Sequence, residues 1–239
     1  MIDIKGLPFS ITDMIVAFTP TIADNFLVYQ ETGQNGVTKL FKRIFYYHRI
    51  TKKVWYVLII LLPFWIYFVI FIVIYFTDSP FSNESNVTFQ SLFGLLLLFF
   101  VGAIADEVGY MGYAIEPMQA RFGALFASIL IGIPWVIWHY PSISQQGYNA
   151  VWIVWGTLVT IVVRVLIVCI FKNIIKSLFA CILFHTLMNF RRILYPKDEI
   201  HTPLVDYPYI HYVVITVVVI LLWDSKTLVK FGFTETLTQ

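Results

Sequence analysis

The chain has 239 residues, 59% of them hydrophobic and 13% charged, with a formal net charge of +2. An ordinary soluble domain carries about 25% charged residues, so this composition could not cover a water-facing globule. A soluble enzyme, a disordered tail and a secreted disulfide scaffold are excluded, and lipid is the solvent that suits the sequence.

Residues 54–76, 89–105, 122–143, 147–163, 177–190 and 207–223 are free of Asp, Glu, Lys and Arg. Each run approaches the ~20 residues that a helix needs to cross the hydrocarbon core. The first span, residues 7–29, is interrupted by Asp13, Pro20 and Asp24. The expected fold class is therefore all-α, a polytopic transmembrane bundle of about seven spans forming one membrane domain over residues 1–239. Residues 1–8 lack the basic and apolar regions of a removable signal peptide.

Gly33 and Gly36 signal a turn after the first span, and residues 31–53 read as a loop carrying Lys39, Lys42, Arg43, Arg49, Lys52 and Lys53. Such a run of cations marks the cytoplasmic side. The next loop, residues 77–88, has Asp78 and Glu84 but no cation. Alternation then puts Arg121, Lys172, Lys176, Lys226 and Lys230 inside, with Arg191 and Arg192 as exceptions outside. The C-terminus and the 39–53 loop are expected to be cytoplasmic, the N-terminus outside, and the plasma membrane the location. The sequons at Asn83 and Asn86 carry no functional weight. Cys169 and Cys181 lie in apolar runs, where a thiol is packing, and no nucleic-acid footprint is visible.

Ionisable and amide groups inside lipid are costly, and here they are few: Asp106, Glu107, His139, Arg164, His185 and Asn189. Asp106 and Glu107 end one apolar run, and His139 lies near the end of the next. His185 and Asn189 share a helical face at i, i+4 spacing. Carboxylates, imidazoles and an amide delivered from three helices are the parts for activating water and holding an oxyanion. Two His and a carboxylate also suit a divalent metal such as zinc. No cofactor is required by the sequence, and if a metal is present the ligands would be Glu107, His139 and His185.

The segment Asp106-Glu107-Val-Gly-Tyr-Met111-Gly-Tyr-Ala-Ile-Glu-Pro117-Met-Gln119-Ala-Arg121-Phe-Gly123 resembles the first motif, Glu-Glu-x-x-x-Arg, of the CAAX protease and bacteriocin-processing (CPBP) family of intramembrane peptidases. Trp135-Val-Ile-Trp138-His139-Tyr-Pro141 resembles the second motif, and His185-Thr-Leu-Met-Asn189 the third, His-x-x-x-Asn. The likeness extends over about residues 18–223.

This resemblance implies a membrane-embedded endopeptidase of the type II CAAX prenyl endopeptidase kind, with a hydrophobic or membrane-associated peptide or protein as substrate. It implies that Asp106 activates water with His139, that Glu107 supports it, and that His185 and Asn189 hold the oxyanion. Members of that family usually have eight helices, the first before the stretch that matches here, and the absence of that helix would explain an N-out start. The alternative is a catalytically weakened homologue that binds peptides or partner proteins, as in bacteriocin immunity. A transporter ranks below both, for lack of an inverted repeat.

Two positions depart from the motif. Asp106 is one methylene shorter than Glu, and Met111 stands where the pattern has Arg. Glu107 then needs another partner, and Arg164 from a different helix is the natural one, against snorkelling to the inner surface. Asp106 is expected within a turn or two of the inner loop, far in depth from His139, so that tilt or an extension of the first-motif helix past Met111 would be needed to join them. Tyr110, Tyr113, Trp135, Trp138, Trp152 and Trp155 read as packing or interfacial belt. Glu116, Gln119 and Arg121 read as a solvated loop face, and His201 and His211 as bystanders.

Overall fold

The computed structural model describes residues 17–77, 88–145, 150–191 and 210–229. The sequon asparagines Asn83 and Asn86, His201, Lys5, Arg192, Lys197 and Lys230 lie outside them. Eight α-helices follow one another among the described residues: α1 (Thr19–Lys42), α2 (Val54–Thr77), α3 (Phe89–Gly109), α4 (Ile115–Phe122), α5 (Ala124–Gln145), α6 (Ala150–Asn173), α7 (Leu178–Phe190) and α8 (Ile210–Leu222). No strand occurs among the described residues, and the fold is all-α.

Helix starts follow local chemistry. The Thr88 hydroxyl accepts from the Ser91 N–H at 3.2 Å at the head of α3, and the Ser177 hydroxyl accepts from the Ala180 N–H at 3.2 Å at the head of α7, the usual way to satisfy an orphaned first-turn donor. Between α6 and α7 the chain turns through Ile175 and Lys176, both at positive φ. Arg49 donates to the carbonyls of both, at 3.2 Å each.

The helical stretches Phe89–Phe122, Ala124–Pro141 and Ile153–Asn173 are long and apolar enough to cross a membrane, and Val54–Trp65, Leu178–Phe190 and His211–Leu222 are shorter apolar helices, among the described residues. Their outer faces carry exposed large apolar side chains such as Phe71, Phe76, Val154 and Leu221. A continuous apolar exterior of this kind is stable against acyl chains and not against water. Inside the bundle α3 packs most extensively on α7 and α1, α5 on α6, α8 on α6, and α2 on α7. The buried Tyr212 of α8 donates to the carbonyl of Pro63 in α2 at 2.9 Å.

Two expectations are corrected. Residues 31–42 are not a loop, because α1 continues to Lys42, and the glycine signal is a kink in which Gly33 takes φ 66° inside the helix. Nor does the third span end near Asp106. After Gly109 the chain widens into a π-helical turn, Tyr110–Ala114, and continues as α4 to Phe122. The polar residues of α4 conceal this extension in the sequence. Gly123, at φ 80°, then reverses the chain into α5. Asp106 and His139 thus stand seventeen and sixteen residues from Gly123, each roughly 25 Å from the corner along its helix, which removes the expected difference in depth.

Candidate active site

Asp106 and Glu107 are consecutive on α3, so their side chains diverge by about 100° around the helix. Asp106 faces α5, where the indole N–H of Trp135 donates to its Oδ2 at 3.1 Å. Glu107 faces α6 and α7. Its Oε2 lies 2.8 Å from Arg164 Nη1, with both side chains fully buried. Its Oε1 is 3.0 Å from the same Nη1 and 2.8 Å from His185 Nδ1.

Trp135 joins the two halves of the cluster. Its ring meets His139 edge-to-face at 5.9 Å and His185 at 5.2 Å between centroids. The Arg164 guanidinium carbon lies 3.9 Å from the Trp135 ring centroid and 4.8 Å from that of Tyr110, a cation–π arrangement that stabilises a desolvated guanidinium. Trp135 and Tyr110 are therefore parts of the site and not belt residues. The aromatic position four before His139 was the signal for Trp135. Sequence reasoning had no signal for Tyr110, because tyrosine beside an acidic pair is equally common as packing.

The structure places Arg164 against Glu107 and not at the inner surface. Met111, where the motif has arginine, is fully buried with the apolar core. His139 is half-buried and Asn189 stands one turn beyond the buried His185 on α7.

The three residues assigned as metal ligands do not assemble as such. No group of three or more His, Cys, Asp or Glu able to hold a metal occurs among the described residues. Both oxygens of Glu107 are engaged by the Arg164 guanidinium, whose charge opposes a cation beside it, and one of them also by His185. The trio Glu107, His139 and His185 does not fit a three-ligand zinc centre.

Backbone contacts fix the site's floor. Arg43, just past α1, donates to the Gly112 carbonyl at 2.7 Å, inside the π turn where the regular ladder is broken. The Thr21 hydroxyl donates to the Ala105 carbonyl at 2.5 Å. At Gly109 a Cβ would lie 2.7 Å from the Pro20 carbonyl carbon and 2.7 Å from Asp24 Oδ2, so the absence of a side chain is what lets α1 lie on α3 beside the acidic pair. Glu116 pairs with Lys176 at 2.8 Å, both side chains partly exposed. The face of Arg121 is exposed, as expected.

A family model described as Rce1-like, the type II CAAX prenyl endopeptidase Rce1-like family, matches residues 88–191. The matched stretch contains every residue of the cluster. A protein of Methanococcus maripaludis called CAAX prenyl protease 2 is 29% identical over 183 residues, covering 71% of this chain and 67% of the relative.

Proposed function

From the match of residues 88–191 to the Rce1-like family model and the likeness to a CAAX prenyl protease 2, we infer that this chain is a CPBP-type membrane-embedded endopeptidase of the CAAX prenyl endopeptidase kind. The observation that carries the reading is the convergence of all three motifs on one indole: Trp135 bonds Asp106 and lies edge-to-face with both His139 and His185.

In this reading the Asp106 carboxylate, with His139, takes a proton from water as the water oxygen bonds to the scissile carbonyl carbon. The carbonyl π electrons move onto oxygen, and His185 and Asn189 hold that oxyanion. When the C–N bond breaks, the proton passes to the leaving amine. Glu107, ionised against Arg164, accepts from His185 Nδ1 and so fixes the ring with Nε2 turned away. With both ring nitrogens protonated, Nε2–H donates a hydrogen bond to the oxyanion and keeps its proton. No step is routed through a metal.

The substrate would be a membrane-associated peptide or protein carrying a prenylated C-terminal segment. The test is hydrolysis of a farnesylated C-terminal peptide by the purified protein in detergent, with the released fragment identified by mass spectrometry. Wild type should release it with chelator present or absent, and Asp106→Asn should not. Equal cleavage by the Asn form would remove Asp106 from the base role, and chelator-sensitive activity with stoichiometric zinc would overturn the metal-free mechanism.

A further inference from the structure

Away from the acid–imidazole cluster, beside the Gly123 corner, a cavity of about 260 Å³ is lined by Glu116, Gln119, Ala120, Lys172, Lys226 and Thr227. Three elements build it: α4, the end of α6, and the turn at residues 224–229 that follows α8. The turn is fixed on every side. Asp224 accepts from the Lys226 N–H at 3.1 Å and from the Thr227 hydroxyl at 2.8 Å, and these bonds hold its carboxyl below the usual carboxylate range. The Lys226 carbonyl accepts from the Ala124 N–H at 2.7 Å, the Ser225 carbonyl from the Leu125 N–H at 3.2 Å, and the Leu228 carbonyl from Asn173 Nδ2 at 2.7 Å.

The lining carries both acceptors and cations. Glu116 Oε1 and Gln119 Oε1 are buried and have no hydrogen-bond partner among the described residues. They come from positions i and i+3 of α4, on one helix face, and both are acceptors in need of N–H donors. The cations Lys172 and Lys226 line it as well, and Lys176 pairs with the other carboxylate oxygen of Glu116 at 2.8 Å. A bare metal ion would meet the lysines, and a bare anion would meet the two oxygens. A ligand carrying a primary ammonium next to a phosphate offers donors to the oxygens and an anion to the lysines. The volume is below the roughly 300–1,000 Å³ of sites for drug-sized ligands, which suits a headgroup and not a peptide. Lys172, Lys176, Lys226 and Arg121 gather at this end of the apolar helices, the level at which anionic phosphates of a bilayer would lie.

We propose that this cavity binds a phosphoethanolamine group, with the ammonium on Glu116 and Gln119 and the phosphate on Lys172 and Lys226. A trimethylammonium headgroup has no N–H to give the two oxygens, and a glycerol headgroup has no cation. The proposal is independent of the peptidase reading.

The test is native mass spectrometry of the full-length protein in detergent with phosphatidylethanolamine, phosphatidylcholine and phosphatidylglycerol of identical acyl chains. Phosphatidylethanolamine should be retained about tenfold more than the other two, the size of one charge-assisted bond set. Gln119→Met and Lys226→Met should each reduce that preference to within about twofold; where Lys226→Met does not fold, Lys172→Met carries the same expectation. A soluble arm compares O-phosphoethanolamine with phosphocholine in thermal-shift measurements. Selective stabilisation by O-phosphoethanolamine without a lipid preference assigns the same chemistry to a soluble ligand, and a lipid preference assigns it to a headgroup. Equal retention of the three lipids with no effect of O-phosphoethanolamine, or a preference unchanged in the variants, would overturn it.

Discussion

Glu107 is fully buried and meets two donors from two other helices, so its charge is tolerated only while both remain. Removing one member of a buried pair strands the other and typically costs ~3 to 5 kcal/mol, whereas removing both is milder. Arg164→Met should therefore lower thermal stability in detergent sharply, and Glu107→Gln should partly restore it. Met111→Arg in the Arg164→Met background should restore it as well, by putting a guanidinium one turn from Glu107 on the same helix. A double-mutant cycle with zero coupling would contradict the account. Asp106 sets a second expectation at this scale. If its short side chain limits the rate, Asp106→Glu raises turnover in the peptide assay. Trp135→Phe, which keeps the ring and removes the N–H on Asp106, should lower the rate about tenfold or more through misplacement of the carboxylate.

Much of the residue-scale clustering was legible in the sequence because charges and imidazoles are conspicuous in apolar runs. The Glu107–Arg164 contact could be expected from Met111, which leaves Glu107 without a partner at i+4. Trp135 was not legible as a hydrogen-bond donor, since an indole in an apolar run has the same sequence signature whether it packs or donates.

At the scale of elements, α3, the π turn and α4 form one continuous path from Phe89 to Phe122. Sequence hydropathy stops at Ala105 because the residues that follow are the polar working ones, so an apolar run marks less than the helix it belongs to. The same reasoning in reverse explains α1, whose residues after Gly33 are polar and basic yet helical. Two substitutions test this scaffold. Arg43→Met leaves the Gly112 carbonyl without its donor and should cost ~1 to 3 kcal/mol, with a partial return in Arg43→Lys. Gly109→Ala forces a methyl into the α1 backbone at Pro20, and overpacking of this kind costs ~1 to 3 kcal/mol. Both changes would be read from the unfolding midpoint in detergent, and a midpoint equal to wild type would show that the π turn and the α1 contact do not hold the acidic pair.

Across the whole molecule, the composition that excludes a soluble fold also explains the distribution of side chains. Large apolar residues cover the outside, and the ionised groups Glu107 and Arg164 lie at the centre. Composition and charge-free runs were enough for the fold class. They could not give the depth at which the motifs meet, because depth depends on where α4 ends and Gly123 reverses the chain, and neither is written in hydropathy.

The central claim is that residues from α3, α5 and α7 act as one site. Its most direct test is cleavage of a farnesylated C-terminal peptide by His139→Ala, His185→Ala and the double variant, each with folding verified by its unfolding midpoint. Groups that act as a unit are strongly non-additive. Each single change should abolish hydrolysis, and the double variant should be scarcely worse than either. Losses that multiply, or wild-type cleavage after either change, would contradict a single site.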